Sequence, residues 1–297
     1  MKTKQAIIYA ILAAALYAIN VPMSKLLLNH AGATIMASFL YLGAGIGLLL
    51  YGTAERLIKK NQHQEPLTKK ELPYTIAMVV LDIIAPILLM FGIARTSSAN
   101  VSLLNNFEIV ATSIIALVIF KEIISSKLWI AIAMVTIAST ILSFEGVGAF
   151  AFNEGSLFVL GACICWGFEN NCTKMISNKS STEIVVIKGC FSGLGSFLVA
   201  LLLKESIPER KWIFAILLLG FVAYGLSIKF YIMAQQYLGA AKTSAYYSIA
   251  PFLGVAFSMI LLREKPSIQF FIALIILIAS TILMVQDSIS SENQKKE

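Results

Sequence analysis

From residue 72 to 94 the chain reads LPYTIAMVVLDIIAPILLMFGIA, 23 residues with one charged side chain, Asp82. As a helix rising 1.5 Å per residue, this run is about 35 Å long and can cross a hydrocarbon core about 30 Å thick. Runs of this kind recur from one end of the sequence to the other. Inside lipid each must satisfy its own backbone N–H and C=O groups, which a helix does. Ten spans can be drawn, at residues 6–28, 33–54, 72–94, 98–120, 128–144, 155–177, 184–203, 212–235, 243–262 and 268–285. The longest loop, 55–71, and the tail, 287–297, are polar; the tail is expected to be disordered. The predicted fold class is therefore an all-α polytopic membrane protein. Only 13% of residues are charged, against about 25% in soluble domains.

The net charge of +7 does not point to nucleic acid, because the basic residues are spread through short loops. Met1-Lys-Thr-Lys before an apolar run resembles a signal peptide, but with so many later spans it reads as the first transmembrane helix. The four cysteines, Cys163, Cys165, Cys172 and Cys190, lie within apolar runs, where small apolar packing is their usual role. Cys163 and Cys165 would point about 200° apart on a helix, and the two histidines, His30 and His63, are in loops. No metal, cofactor or nucleotide is implied: no GxxxxGK[ST] loop is present. An intramembrane enzyme would need a nucleophile with a base or a metal pair, for which the spans offer no histidine.

Loop lysines and arginines set the orientation. With a cytoplasmic N-terminus, 14 lie inside and 7 outside; the first half carries the bias, and Lys188 and Lys229 fall within spans. Both termini are thus expected in the cytoplasm, with the protein in the cell membrane.

The sequence repeats itself. IASTIL occurs at 137–142 and again at 278–283. LVIFKEIIS (117–125) matches MILLREKPS (259–267) at an offset of 142, superposing Glu122 on Glu264. ALYAINVPMSK (15–25) aligns with ICWGFENNCTK (164–174) at an offset of 149, setting Asn20 against Glu169. These matches in one order argue for two five-span halves, 1–150 and 151–297. Five is odd, so the second half would enter the membrane with opposite polarity, as in transporters built from inverted repeats. IASTIL, small and uncharged, is expected to be a packing seam.

ALYAINVPMSK, the stretch QQYLGAAKTSAYYSIAPFLGVAFSMILL (235–262) and the acidic marks at Glu122 and Glu264 resemble the EamA-type branch of the drug/metabolite transporter superfamily. The resemblance covers nearly the whole chain. It implies ten helices, cytoplasmic termini, a central cavity, and export of amino acids, other metabolites or drugs. One departure is that Pro251 of the second half faces Ile109 of the first, so a proline-dependent distortion is expected there in one half only.

Polar groups in lipid should face the protein interior or a water-filled cavity. The candidate cavity residues are Tyr17 and Asn20 of the first span, Asp82 of the third, Asn105 and Glu108 of the fourth, and Trp166 and Glu169 of the sixth. Lys229 of the eighth span and Tyr247 and Ser248 of the ninth complete the set. Pro22, Pro86 and Pro251 are candidate helix distortions. The carboxylates could hold a substrate ammonium, and Lys229 or amide donors a substrate carboxylate. Lys188 and Lys229 can either face the cavity or extend to the cytoplasmic boundary. The predicted function is a secondary transporter exporting amino acids or related metabolites by alternating access, with a proton as a coupling ion the carboxylates could carry. Inward-facing lysines would favour acidic or phosphorylated metabolites; an acid-rich cavity would favour amino acids or organic cations. A channel, a scaffold or a homodimer is compatible with the same sequence. Its partners are membrane lipid and a small-molecule substrate.

Overall fold

The apolar runs fold as helices, and no strand occurs among the described residues. The computed structural model describes residues 3–58, 67–119, 121, 125–143, 153–176, 179–238 and 246–294. Glu122, His63, Ser244, the loop lysines Lys59, Lys60 and Lys242, and the span ends at 120, 144, 177 and 243 lie outside them.

In chain order the helices are α1 (Thr3–Ala18), α2 (Asn20–Leu27), α3 (Ala33–Ile58), α4 (Leu72–Arg95), α5 (Ser98–Leu104), α6 (Phe107–Val118) and α7 (Ser126–Ser143). They continue as α8 (Glu154–Ile176), α9 (Ser181–Leu202), α10 (Arg210–Gly220), α11 (Ser227–Leu238), α12 (Ala250–Leu262) and α13 (Ile268–Gln294). Among the described residues, seven helical stretches are long and apolar enough to cross a membrane; α7 and α12 supply shorter apolar segments. Helix α8 spans 23 residues but carries the polar run FENNCTK, which lowers its hydropathy.

Three expected single spans are interrupted. The first divides into α1 and α2 at Ile19. Pro22 has no N–H for the carbonyl of Ala18, and its ring crowds that carbonyl, so α1 stops there. The fourth divides into α5 and α6 at Asn105–Asn106. No proline is present there. Instead Asn106 Nδ2 donates to the Leu103 carbonyl at 2.9 Å, and the Glu108 and Ile109 amides turn to carbonyls three residues back, at 3.1 Å each. An asparagine side chain competes with the helix's own ladder and wins. Residues 248–249 interrupt the ninth span just before Pro251. A break thus occurs in both halves, proline-associated in only one. The eighth span is continuous but passes through a π-helical turn, Phe221–Leu226, between α10 and α11. Pro86, by contrast, does not interrupt α4, which runs through it to Arg95. The tail also departs from expectation: α13 continues to Gln294. Residues 286–294 contain no proline or glycine to stop it.

The helices pack in pairs: α1 on α11, α4 on α8, α3 on α9, α5 on α12, and α7 on α13. Helices α3 and α9 cross at glycines, where a Cβ on Gly189 would overlap the backbone of Gly45 and sit 2.8 Å from the Tyr41 carbonyl oxygen. Small residues let backbones meet where lipid supplies no hydrophobic drive between helices. The two IASTIL copies lie on the paired α7 and α13; Ser280 Oγ donates to the Ala131 carbonyl at 3.0 Å. The hexapeptide is a packing seam.

Candidate functional site

At the centre of the molecule one lysine sits between two carboxylates. Lys188 Nζ lies 2.9 Å from Glu169 Oε1 and 3.2 Å from Asp82 Oδ2. Three spans meet here: α9 supplies the lysine, α8 Glu169 and α4 Asp82. Asp82 is fully buried, Glu169 is 2% exposed and the lysine side chain 14%. Tyr41 of α3 donates to Asp82 Oδ1 at 3.0 Å, and Thr173 donates to Glu169 Oε1 one turn along α8. Lys188 therefore faces inward. The sequence alone left its direction open, because a lysine that far from a span end can reach either way.

Beside the triad stands a cluster of tyrosines. The π turn carries Tyr224, which accepts a hydrogen bond from Asn20 Nδ2 at 3.0 Å; Ser24 in turn donates to Asn20 Oδ1 at 3.1 Å. The Tyr224 ring packs against Tyr41 at 5.3 Å and edge-on against Tyr17 at 5.9 Å. Tyr17 also meets Tyr247 at 6.1 Å, and Tyr247 meets Tyr231 at 5.0 Å. A π turn widens a helix by one residue and commonly re-aims a side chain at a functional site. No sequence period marks such a turn, which is why Tyr224 was not among the expected residues.

Glu108 sits at the start of α6, just past the Asn105–Asn106 break. Asn170 of α8 donates to it at 2.7 Å and also reaches Thr112 Oγ1 at 3.3 Å. The neighbour of Glu169 thus joins the Glu108 region to the triad. Between α1, α5 and α12 is a small cavity of about 20 Å³, lined by Tyr17, Val21, Ser102, Asn105, Pro251 and Gly254. It has room for about one water. Asn105 Oδ1 is buried on this cavity and accepts no hydrogen bond from a described residue.

Of the expected site residues, Asn20, Asp82 and Glu169 join this network directly, and Tyr17, Asn105 and Tyr247 stand around it. Glu108 is tied to it through Asn170. Trp166 is buried in the main apolar cluster, and Ser248 lies in the break that precedes α12. Pro251 lines the cavity and Pro22 sets the α1–α2 break. Lys229 lies apart: its ammonium sits 3.5 Å from the centre of the Tyr51 ring, near the end of α3. Tyr41, Asn170 and Tyr224 were not anticipated, since their partners Asp82, Glu108 and Asn20 lie on other helices.

A chain that is all-helical among its described residues, apolar, and built around a buried ionic network is a polytopic membrane protein. The EamA-like transporter family matches residues 4–144 and 153–286, and the chain belongs to that family. An uncharacterized transporter from Methanothermobacter thermautotrophicus is 22% identical over 295 residues, covering 90% of this chain and 82% of that protein. A solved structure described only as the crystal structure of a protein matches with a TM-score of 0.68 at 13% identity, over 94% of this chain and 95% of its own. This last likeness bears on the fold alone.

Proposed function

We propose that this transporter carries amino acids or related small amines, exporting them across the cell membrane by alternating access between two inverted five-helix halves, 1–150 and 151–297. One observation carries the substrate reading: the centre holds three carboxylates, Asp82, Glu108 and Glu169, and Lys188 is already engaged by two of them. A buried excess of carboxylate attracts a cation, and an ammonium is the cationic group common to amino acids and organic amines. Tyrosine faces around the network add cation–π attraction, and Asn105 Oδ1 offers an acceptor to an N–H donor. Acidic or phosphorylated substrates are less well served, because Lys188 is engaged and the Lys229 ammonium lies over Tyr51.

The inverted repeat has its own support. Number the spans one to ten, with α1–α2 as the first, α5–α6 as the fourth and α10–α11 as the eighth. Exchanging each span with the one five places on then turns the pairing of the first and eighth (α1 on α11) into that of the sixth and third (α8 on α4). The pairs α3 on α9, α5 on α12 and α7 on α13 map onto themselves. The packing of α6 on α8 becomes that of α12 on α1, and α3 on α10 becomes α9 on α4. The family match also falls in two stretches, one per half. The 20 Å³ cavity is too small for an amino acid, so binding requires the halves to part, as rocking would allow.

Purified protein should be tested for thermal stabilisation by a panel of amino acids, organic amines and phosphorylated acids. A ligand at 100 times its Kd stabilises by about 2.7 kcal/mol. Ammonium-bearing compounds should raise Tm in the wild type, and Glu108→Gln should weaken that response. Stabilisation by phosphorylated acids alone would overturn the substrate reading.

A further inference from the structure

Asp82, Lys188 and Glu169 hold two carboxylates and one ammonium, an imbalance of one negative charge sealed inside a membrane protein. We propose that this triad is a proton-binding site, with Asp82 Oδ2 as the atom that takes the proton, and that it is separate from the substrate-facing Glu108. The proposal rests on the transport reading above for its purpose, though its physical basis is independent.

Three observations converge. First, Asp82 is fully buried and shares its one described cation with a second carboxylate. Its described partner is the Lys188 ammonium, 3.2 Å away, which Glu169 holds more closely at 2.9 Å. The carboxylate's other oxygen is taken by Tyr41 at 3.0 Å. A buried carboxylate that has only a share of one ammonium is incompletely compensated; an O–H formed on Oδ2 removes the charge. Second, side chains from four elements close around Asp82. Asp82 faces Lys188 from α9, Glu169 and Cys165 from α8, Tyr41 from α3 and Tyr224 from the π turn. The cavity at Tyr17 and Asn105 lies elsewhere, between α1, α5 and α12. A proton on Oδ2 adds no heavy atom to this enclosure.

Third, the corresponding pair of spans does without charge at the matching place. The offset of 149 sets Asn20 against Glu169, and the offset of 142, carried back from residues 117–125 to the third span, sets Tyr224 against Asp82. Asn20 and Tyr224 meet in a neutral hydrogen bond of 3.0 Å. The mate of that pair is Glu169 with Asp82, bridged by Lys188. Packing of the first and eighth spans is therefore satisfied by an amide and a phenol. The ionic version is extra to packing.

The step balances simply. A proton from water forms an O–H bond on Asp82 Oδ2 and no bond in the protein breaks. Lys188 then pairs with Glu169 alone and the triad is neutral. On release, Lys188 is again shared, tying α4 of the first half to α9 of the second by charge. Proton occupancy thereby sets how firmly the two halves are held at this point.

Infrared difference spectra of the protein in lipid, recorded on acidification from mildly alkaline to mildly acidic, read this directly through the C=O stretch of a protonated carboxyl. The wild type should gain such a band from a buried group and Asp82→Asn should lack it. Tyr41→Phe should keep the band and move it to higher wavenumber, because the carbonyl Oδ1 loses its donor; this mild variant tests the assignment even if Asp82→Asn fails to fold. A band unmoved by both variants, one removed by Glu108→Gln instead, or no band at all overturns the proposal. The spectrum needs no substrate, so its failure is distinct from failure of the thermal-shift panel, which bears on the transport reading alone.

Discussion

Lys188 is the residue on which the buried charges depend. Its ammonium is within 3.2 Å of two carboxylates that have no other cation among their described contacts. Removing one partner of a buried ion pair leaves an uncompensated charge and costs about 3–5 kcal/mol. Lys188→Met should therefore lower the unfolding free energy of the purified protein by an amount in that range, measured by thermal or denaturant unfolding in detergent. Adding Asp82→Asn and Glu169→Gln should recover most of the loss, because the amides resemble the neutral Asn20–Tyr224 pair. If the triple variant is no more stable than Lys188→Met, the charge argument fails. At the Asn20 side, Tyr224→Phe removes one neutral hydrogen bond and should cost about 1 kcal/mol by the same measurement. The carboxylates were legible in the sequence, because a charged residue in the middle of an apolar run has few reasons to be there. Their partner was not. A lysine on a four-carbon stem can reach several ångströms either way, and which way depends on helices distant in sequence.

Among the elements, helix ends and breaks carry the organisation. Glu264, just past α12, accepts from the Ser98 and Ala99 amides at 2.8 Å each and so closes the N-terminus of α5. Glu205, just past α9, accepts from the Thr34 and Ile35 amides at 3.1 and 2.8 Å and does the same for α3. The first N–H groups of a helix lack intrahelical partners and carry its positive dipole end, so each carboxylate ties two spans together at one end. Loss of a cap costs about 0.5–2 kcal/mol. Glu264→Ala should lower stability by about that much and speed amide hydrogen exchange at the start of α5, while α13 exchanges as before. The glycine crossing is less forgiving: Gly189→Leu should prevent α3 and α9 from meeting and reduce folded yield sharply, read by size-exclusion chromatography. Sequence reasoning located the runs and the effect of Pro22, since a missing N–H acts locally. It did not find the break at Asn105–Asn106, where no proline stands and the outcome turns on one side-chain hydrogen bond. Nor did it find the π turn, or that α4 passes through Pro86 without stopping.

For the whole molecule, the pairing of spans across the two halves brings Asp82 and Lys188 into one site although 106 residues separate them in sequence. The orientation rests on loop charge and has its own test. A reporter active only outside the cell should be active when fused within the loop that carries Glu205 and inactive when fused beyond Gln294; the reverse pattern would overturn the cytoplasmic placement of the termini. The sequence by itself determined that this chain is a bundle of apolar helices built to span a membrane, and it carries strings such as IASTIL twice. Hydropathy acts over about 20 consecutive residues, and repeated strings need no geometry to be seen. Only the tertiary structure decided which polar groups meet. The direction of Lys188, the re-aimed Tyr224 and the link from Asn170 to Glu108 all follow from how helices remote in sequence cross, and a pattern local to one helix holds no record of its neighbour's face.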